Sequence, residues 1–190
     1  MDQRPINGNL AAAARLLRES RRVVIGGHPS MDGDALGSML ALAEVLRAAG
    51  RECLCVTQDL GPGKYAFLRG ANELTPLDRL PPQLQGFDTC IMVDCGAPSR
   101  AQAVLKRLSA STRVVNLDHH IDNPGFGDAA AVFPQASSTG EVVFGVLREA
   151  GMALTRPAAE ALFCAIVTDT GRFMFSNSTP ASYRIVADLV

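Results

Sequence analysis

All three histidines of the chain lie in two aspartate-rich segments, His28-Pro-Ser-Met-Asp32-Gly-Asp34 and Asp118-His119-His120. Imidazole and carboxylate together are ligands of borderline divalent metals, and two such clusters on the loops of one fold can hold a pair of ions that share a bridging carboxylate. The chemistry that goes with such a pair is hydrolysis of a phosphate ester. Taken singly, each segment has a plainer explanation. Asp32-Gly-Asp34 could be a turn with Asp34 capping a helix, and His28 a packing histidine. Asp94-Cys-Gly96 could merely end a strand, and Asp169-Thr-Gly171 could merely turn. The combination outweighs these separate accounts, because four segments each contribute the same kind of donor.

The elements that must position these residues alternate between β-rich runs and helical patterns, the sequence form of a doubly wound, mostly parallel sheet with helices on both faces. A helix over Leu10 to Glu19 precedes a strand at Arg22-Val-Val-Ile25. Leu36, Met39, Leu40, Ala43 and Leu46 then share one helix face, with Gly50 as the stop. Cys53 to Val56 reads as the second strand and Asp88 to Val93 as the third. Between them the Pro/Gly-rich stretch from Gly61 to Pro82 has no assignable structure, although Tyr65-Ala-Phe-Leu68 has packing character. Ser99 is expected to cap a helix running to about Leu108, followed by a fourth strand at Arg113 to Leu117 and a fifth at Ala129 to Phe133. Ser138-Thr-Gly-Glu141 reads as a capping box opening a helix that ends at Gly151. A further helix starts near Pro157; after the Gly171 turn come a short extended piece and a last helix begun by Thr179-Pro180. In this arrangement Asp32, Asp34, Asp94 and Asp118 with its histidines all fall at the carboxyl edge of the sheet, where open α/β folds bind ligands. Asp169, leaving an apolar helix, can reach the same crevice.

Composition sets limits on the partners. The 190 residues are 47% hydrophobic, enough for one domain with a sizeable core. A net charge of −1, from 18 basic and 19 acidic residues, supplies no positive field for a long nucleic acid, so a nucleic-acid substrate should be short. The five cysteines include no C-x-x-C pair, most sit in apolar runs, and no run approaches the ~18 residues of a membrane span. The N-terminus, with Asp2, Arg4 and Asn7-Gly8-Asn9, lacks the order of a secretion signal. These features predict a soluble cytoplasmic protein.

The motifs Gly27-His-Pro-Ser-Met-Asp-Gly-Asp-Ala-Leu-Gly-Ser38, Val93-Asp-Cys-Gly96, Asp118-His-His120 and Thr168-Asp-Thr-Gly-Arg-Phe173 resemble, in kind and order, those of the DHH phosphoesterase superfamily. Within it the chain is most similar to the nano-RNase and pAp-phosphatase branch, whose members trim very short oligoribonucleotides and remove the 3′-phosphate of adenosine 3′,5′-bisphosphate. The family usually has proline where this chain has Met31. A RecJ-type exonuclease normally lacks the histidine supplied by His28, and a family II pyrophosphatase usually carries a hydroxyl residue where this chain has Gly33 and Ala35.

The resemblance implies that His28, Asp32 and Asp94 hold one divalent ion and that Asp34, Asp94, His119 and Asp169 hold the other. It implies two manganese ions, an activated water attacking phosphorus in line, His120 on the scissile phosphate, and Asp118 orienting a neighbouring histidine. Gly37 and Ser38 suit either phosphate or plain helix packing, and Arg172 either substrate charge or a surface position. The Arg15, Arg18, Arg21 and Arg22 cluster reads as a solvated face.

Because no G-G-G-H segment follows, residues 1–190 are read as the catalytic domain without the family's smaller C-terminal substrate-binding domain. The reading allows a homodimer. Other activities it leaves open are a cyclic- or linear-dinucleotide phosphodiesterase, a RecJ-type exonuclease, a family II pyrophosphatase and a non-catalytic nucleotide-binding module.

Overall fold

In the computed structural model, residues 9–58 and 63–190 are described. The N-terminal polar residues through Gly8, and Gly61 at the head of the Pro/Gly-rich stretch, lie outside them. The order is α1 (Leu10–Glu19), β1 (Arg22–Gly26), α2 (Gly33–Ala48), β2 (Glu52–Thr57), β3 (Thr75–Pro76), β4 (Thr89–Val93), α3 (Pro98–Leu105), β5 (Arg113–Asp118), β6 (Ala129–Val132), α4 (Thr139–Glu149), α5 (Arg156–Asp169) and α6 (Pro180–Leu189). Six parallel strands pair in the order β3-β2-β1-β4-β5-β6. Strand order reverses between β1 and β4, which pair through Val23 with Thr89 and Gly26 with Met92. The loops leaving these two strands diverge, and a crevice opens between them.

Side chains alternate across the sheet with the period-2 geometry of strands. Val23, Ile25, Ile91, Val93, Val115 and Leu117 face a large core closed by α1, α2, α4 and α5. Val24, Cys90 and Met92 face a smaller one with Ala101 and Val104 of α3. The close approach of α2 to α5 sets the geometry of the crevice. A Cβ on Gly37 would collide with the Ala161 carbonyl, and one on Gly33 would lie 2.5 Å from Thr168 Oγ1. Gly37 is therefore a helix-packing residue, and the contact brings the start of α2 against the end of α5. Gly37→Ala is expected to lose about 1–3 kcal/mol through overpacking against backbone that cannot rotate away. Denaturant titration reads this directly, and an unchanged midpoint would contradict it.

Several local expectations need correction. Asp32, not Asp34, caps α2, and Gly33 is its first residue. Ala97, not Ser99, is the N-cap of α3, because Pro98 occupies the first helical position, and that helix ends at Leu105 rather than near Leu108. Ser138 does cap α4, but the Glu141 carboxylate turns to the amide and hydroxyl of Ser137, at 3.0 and 2.9 Å, instead of closing a box. The reciprocal box is at α6, between Thr179 and Ser182. Residues 170–178 form turns with no extended piece, and the stretch from 63 to 80 holds three 3₁₀ turns and the short β3. Within that stretch Leu68 is buried and Phe67 is exposed.

Candidate metal centre

Each acidic side chain is placed by the end of an element. Asp32 uses Oδ1 to accept the amides of Asp34 and Ala35, both at 3.0 Å, which leaves its other oxygen free. Asp34, one position into α2, is buried and accepts the amides of Thr139 at 2.7 Å and Gly140 at 2.8 Å. Those are unpaired donors of the first turn of α4, whose dipole favours an anion there. Asp94 leaves β4 with φ +52°, a left-handed conformation that costs a non-glycine residue energy and recurs at functional sites. Its Oδ1 accepts the Thr139 hydroxyl at 2.9 Å. Asp118 is the last residue of β5 and Asp169 the last of α5.

The histidines are held so that one ring nitrogen faces these carboxylates. His28 Nδ1 lies 2.5 Å from the Pro29 carbonyl, and its Nε2 is 3.4 Å from Asp94 Oδ2. His119 Nδ1 lies 3.3 Å from the Ala136 carbonyl, while its Nε2 is 3.6 Å from Asp169, 3.8 Å from Asp34 and 3.9 Å from Asp94. A carbonyl on Nδ1 forces the neutral ring to keep its proton there and leaves Nε2 as a lone-pair donor, the arrangement of metal-ligating histidines. His120 is turned the other way, with Nδ1 donating to Asp118 Oδ1 at 2.8 Å.

Three groups of potential ligands have their donor atoms mutually within 4.8 Å: His28, Asp32 and Asp94; Asp34, His119 and Asp169; and Asp94, His119 and His120. Asp94 belongs to the first group, and its Oδ1 is 3.9 Å from His119 of the second. Among the described residues, the cationic partners of Asp34, Asp94, Asp118 and Asp169 are histidines, with no lysine or arginine.

The electrostatics show what that packing costs without a cation. Burial drives the Asp34 carboxyl well above its usual range, and the charges of Asp94 and Asp169 push it further; the amides of Thr139 and Gly140 only partly offset this. Asp169 is raised by burial and by Asp94, against His119. Burial also raises Asp94, but the hydrogen bond from His28 and the charge of His119 outweigh it and hold that carboxyl below the ordinary value. His28 is raised, chiefly by Asp94. This donor set, rich in buried anion and poor in fixed cation, suits divalent metal.

His120 is lifted to about 9, first by its hydrogen bond to Asp118 and against burial. Its folded pKa therefore lies above the unfolded value near 6.5. The pair's contribution to stability is fully present below about pH 6.5 and is lost as pH rises towards 9. Chelator-treated protein should lose stability over that window, and His120→Gln should lose less of it. Parallel denaturation curves for the two proteins at every pH would refute the assignment.

All eight site residues expected from the sequence, His28, Asp32, Asp34, Asp94, Asp118, His119, His120 and Asp169, meet in one crevice. Sequence reasoning missed their supports. Thr139 and Gly140 had been read only as a helix start. Asn123, read as part of a turn, is buried and donates to Asp118 Oδ2 at 2.5 Å and to Asn116 Oδ1 at 2.9 Å. Asn177 donates to Asp169 Oδ2 at 3.3 Å. The available signal was a small polar residue at each helix start or turn nearest a motif. Ser38 bonds Asp34 at 3.3 Å within α2. Arg172 is exposed beside the site, and the Arg15, Arg18, Arg21 and Arg22 side chains lie on the surface.

A doubly wound sheet that gathers histidines and aspartates from four segments at its switch point defines the class, an α/β domain built to hold divalent cations. The chain belongs to the DHH family: residues 22–166 match the DHH family, N-terminal domain. It is 34% identical over 169 residues to the bifunctional oligoribonuclease and PAP phosphatase NrnA of Thermus thermophilus, covering 88% of this chain and 49% of that protein. Similarity to the Bacillus subtilis protein of the same name is 27% over 171 residues, covering 88% and 52%. The chain thus spans about half the length of these relatives. The crystal structure of an exopolyphosphatase-related protein from Bacteroides fragilis superposes with a TM-score of 0.84 at 25% identity, over 95% of this chain and 55% of that one.

Proposed function

We propose that this chain carries the catalytic centre of a manganese-dependent phosphoesterase acting on short oligoribonucleotides, on the 3′-phosphate of adenosine 3′,5′-bisphosphate, or on both. The observation that carries the reading is the buried Asp94 carboxylate, grouped with His28 and Asp32 and with its Oδ1 3.9 Å from His119, which is itself grouped with Asp34 and Asp169. In this reading His28, Asp32 and Asp94 hold one ion, Asp34, Asp94, His119 and Asp169 hold the second, and Asp94 is shared. Mixed imidazole and carboxylate donors favour manganese over calcium or magnesium. When bound, such a pair of ions acidifies water and neutralises charge growing on a phosphoryl group.

The protein's own groups do the rest. The carbonyls of Pro29 and Ala136 hold the two ligand histidines in the right tautomer. The α4 amides partly offset the burial of Asp34 and fix its carboxylate at the start of that helix. Asp118, buried and bonded by Asn123, holds His120 with its Nε2 free to donate to a phosphate oxygen. The near-neutral net charge supports a small substrate, since long polynucleotides need many phosphate contacts. All five cysteines are free, in keeping with a cytoplasmic setting. Among the described residues no helix is long and apolar enough to cross a membrane.

The test is manganese-dependent release of mononucleotides from end-labelled RNAs of two to five nucleotides, run beside adenosine 3′,5′-bisphosphate, a long single-stranded DNA and pyrophosphate. Preference for the first two is expected. Preference for long DNA or for pyrophosphate would overturn the reading in favour of the corresponding other branch.

A further inference from the structure

Beside the metal centre a cleft of about 1290 Å³ runs along α5. Asp32 and Asp169 line its inner end, so it is continuous with the proposed catalytic site and shares its ligand. Its volume exceeds that of an ordinary small-ligand pocket, leaving room for more than the reacting phosphate. Three aromatic side chains line it. Tyr65 and Phe67 come from the segment after β2, and Phe163 projects from α5. Phe67 is 74% exposed and Phe163 37%, in a helix whose neighbouring Ala161, Leu162, Ala165 and Ile166 are buried. Phe163 lies six residues before Asp169, which at the helical rise is about 9 Å along the axis.

The same cleft carries cations. Lys64 Nζ sits over the Tyr65 ring at 5.1 Å from its centroid, and Arg172 lines the same cleft, three residues after Asp169. Arg156 at the outer end is engaged by Glu160 at 3.0 Å, whereas Lys64 and Arg172 have no ion-pair partner among the described residues. Exposed aromatic faces interleaved with free cations are the elements of single-strand recognition, in which bases stack and backbone charges are neutralised without sequence reading.

We propose that this cleft is a nucleobase-stacking subsite in which Phe163 packs on a base adjoining the scissile phosphate while Lys64 and Arg172 neutralise a neighbouring phosphate. The inference rests on the phosphoesterase reading above and adds where the substrate lies and what selects it. It makes the site tolerant of base identity but dependent on the presence of a base.

The experiment measures both binding and turnover, with manganese present. A dinucleotide containing 2-aminopurine should lose fluorescence on binding as the base stacks, and Phe163→Ala should weaken that binding about five- to hundred-fold. Phe163→Trp should restore it. In steady-state hydrolysis of diadenosine dinucleotide and its two singly abasic analogues, Phe163→Ala should raise KM for the intact substrate and leave it unchanged for the analogue lacking the stacked base. Lys64→Ala should reduce the salt dependence of binding by about one ion's worth for a trinucleotide, which carries a phosphate beside the scissile one, and not for a dinucleotide, which does not. Equal losses on all three substrates, or none, would overturn the subsite while leaving the phosphoesterase reading intact. Phe163-dependent quenching without hydrolysis would keep the subsite and sink the reaction. Absence of both quenching and hydrolysis in the unmodified full-length protein would refute both.

Discussion

Asp94→Ala is expected to lower bound manganese from two ions to fewer than one per chain and to reduce phosphodiester hydrolysis by about 10³-fold or more. The expectation follows from the position of one carboxylate: 2% exposed, it has Oδ2 3.4 Å from His28 and Oδ1 3.9 Å from His119. Its loss removes a donor from both ion sites at once, and metal ions supply several kcal/mol of transition-state stabilisation, with each 1.36 kcal/mol worth a factor of ten. Asp32→Ala, which removes an exposed ligand from one group only, should spare the second ion. Thermal unfolding gives an independent reading. Ligand at a hundred times its Kd stabilises a folded protein by about 2.7 kcal/mol, so manganese should raise the midpoint of the parent protein and leave that of Asp94→Ala nearly unmoved. Elemental analysis showing two tightly held manganese ions in Asp94→Ala would sink the shared-ligand assignment.

His120→Ala should behave differently, losing about 10²- to 10³-fold in kcat while keeping its full metal content and a nearly unchanged KM. The geometry contains the competing possibility, because Asp94, His119 and His120 also form a compact donor group. The orientation of the ring decides between them. His120 Nδ1 is committed to Asp118 Oδ1 at 2.8 Å, where the carboxylate lifts the imidazole to about 9 and keeps it a proton donor at neutral pH in the metal-free protein. A protonated ring is a poor ligand and a good partner for a phosphate oxygen; removing one preorganised donor to developing negative charge costs a factor of this size. Asp118→Asn should lie between the parent and His120→Ala, since it weakens the orientation of the ring without deleting it. Loss of an ion in His120→Ala would move this residue into the metal shell.

Much of this was legible in the residues. Alternating β-rich and helical runs named a parallel sheet, and the helix over Leu10–Glu19 matches to the residue, since short-range periodicity reports which face of a helix is buried. Boundaries went astray where neighbours intervened. Pro98 advanced the start of α3, and Glu141 was drawn to Ser137 and, at 3.4 Å, to Ser182 of α6. The stretch around Tyr65 and Phe67 stayed opaque because 3₁₀ turns and a two-residue strand have no periodic signature.

By itself, then, the sequence determined the donor set and its placement, because ligand chemistry resides in residue types and because the ends of parallel strands all open at one edge. The tertiary structure decided which of those ends meet. Pairing β1 with β4 brought His28 and Asp32 within reach of Asp94, and the glycine-lined contact of α2 with α5 brought Asp34 beside Asp169. It also supplied the amides of Thr139 and Gly140 to Asp34 across more than a hundred residues of chain, and the Asn123 bond that steadies Asp118. Such contacts depend on how many side chains pack at once in a dense interior, and no short window of sequence contains both partners.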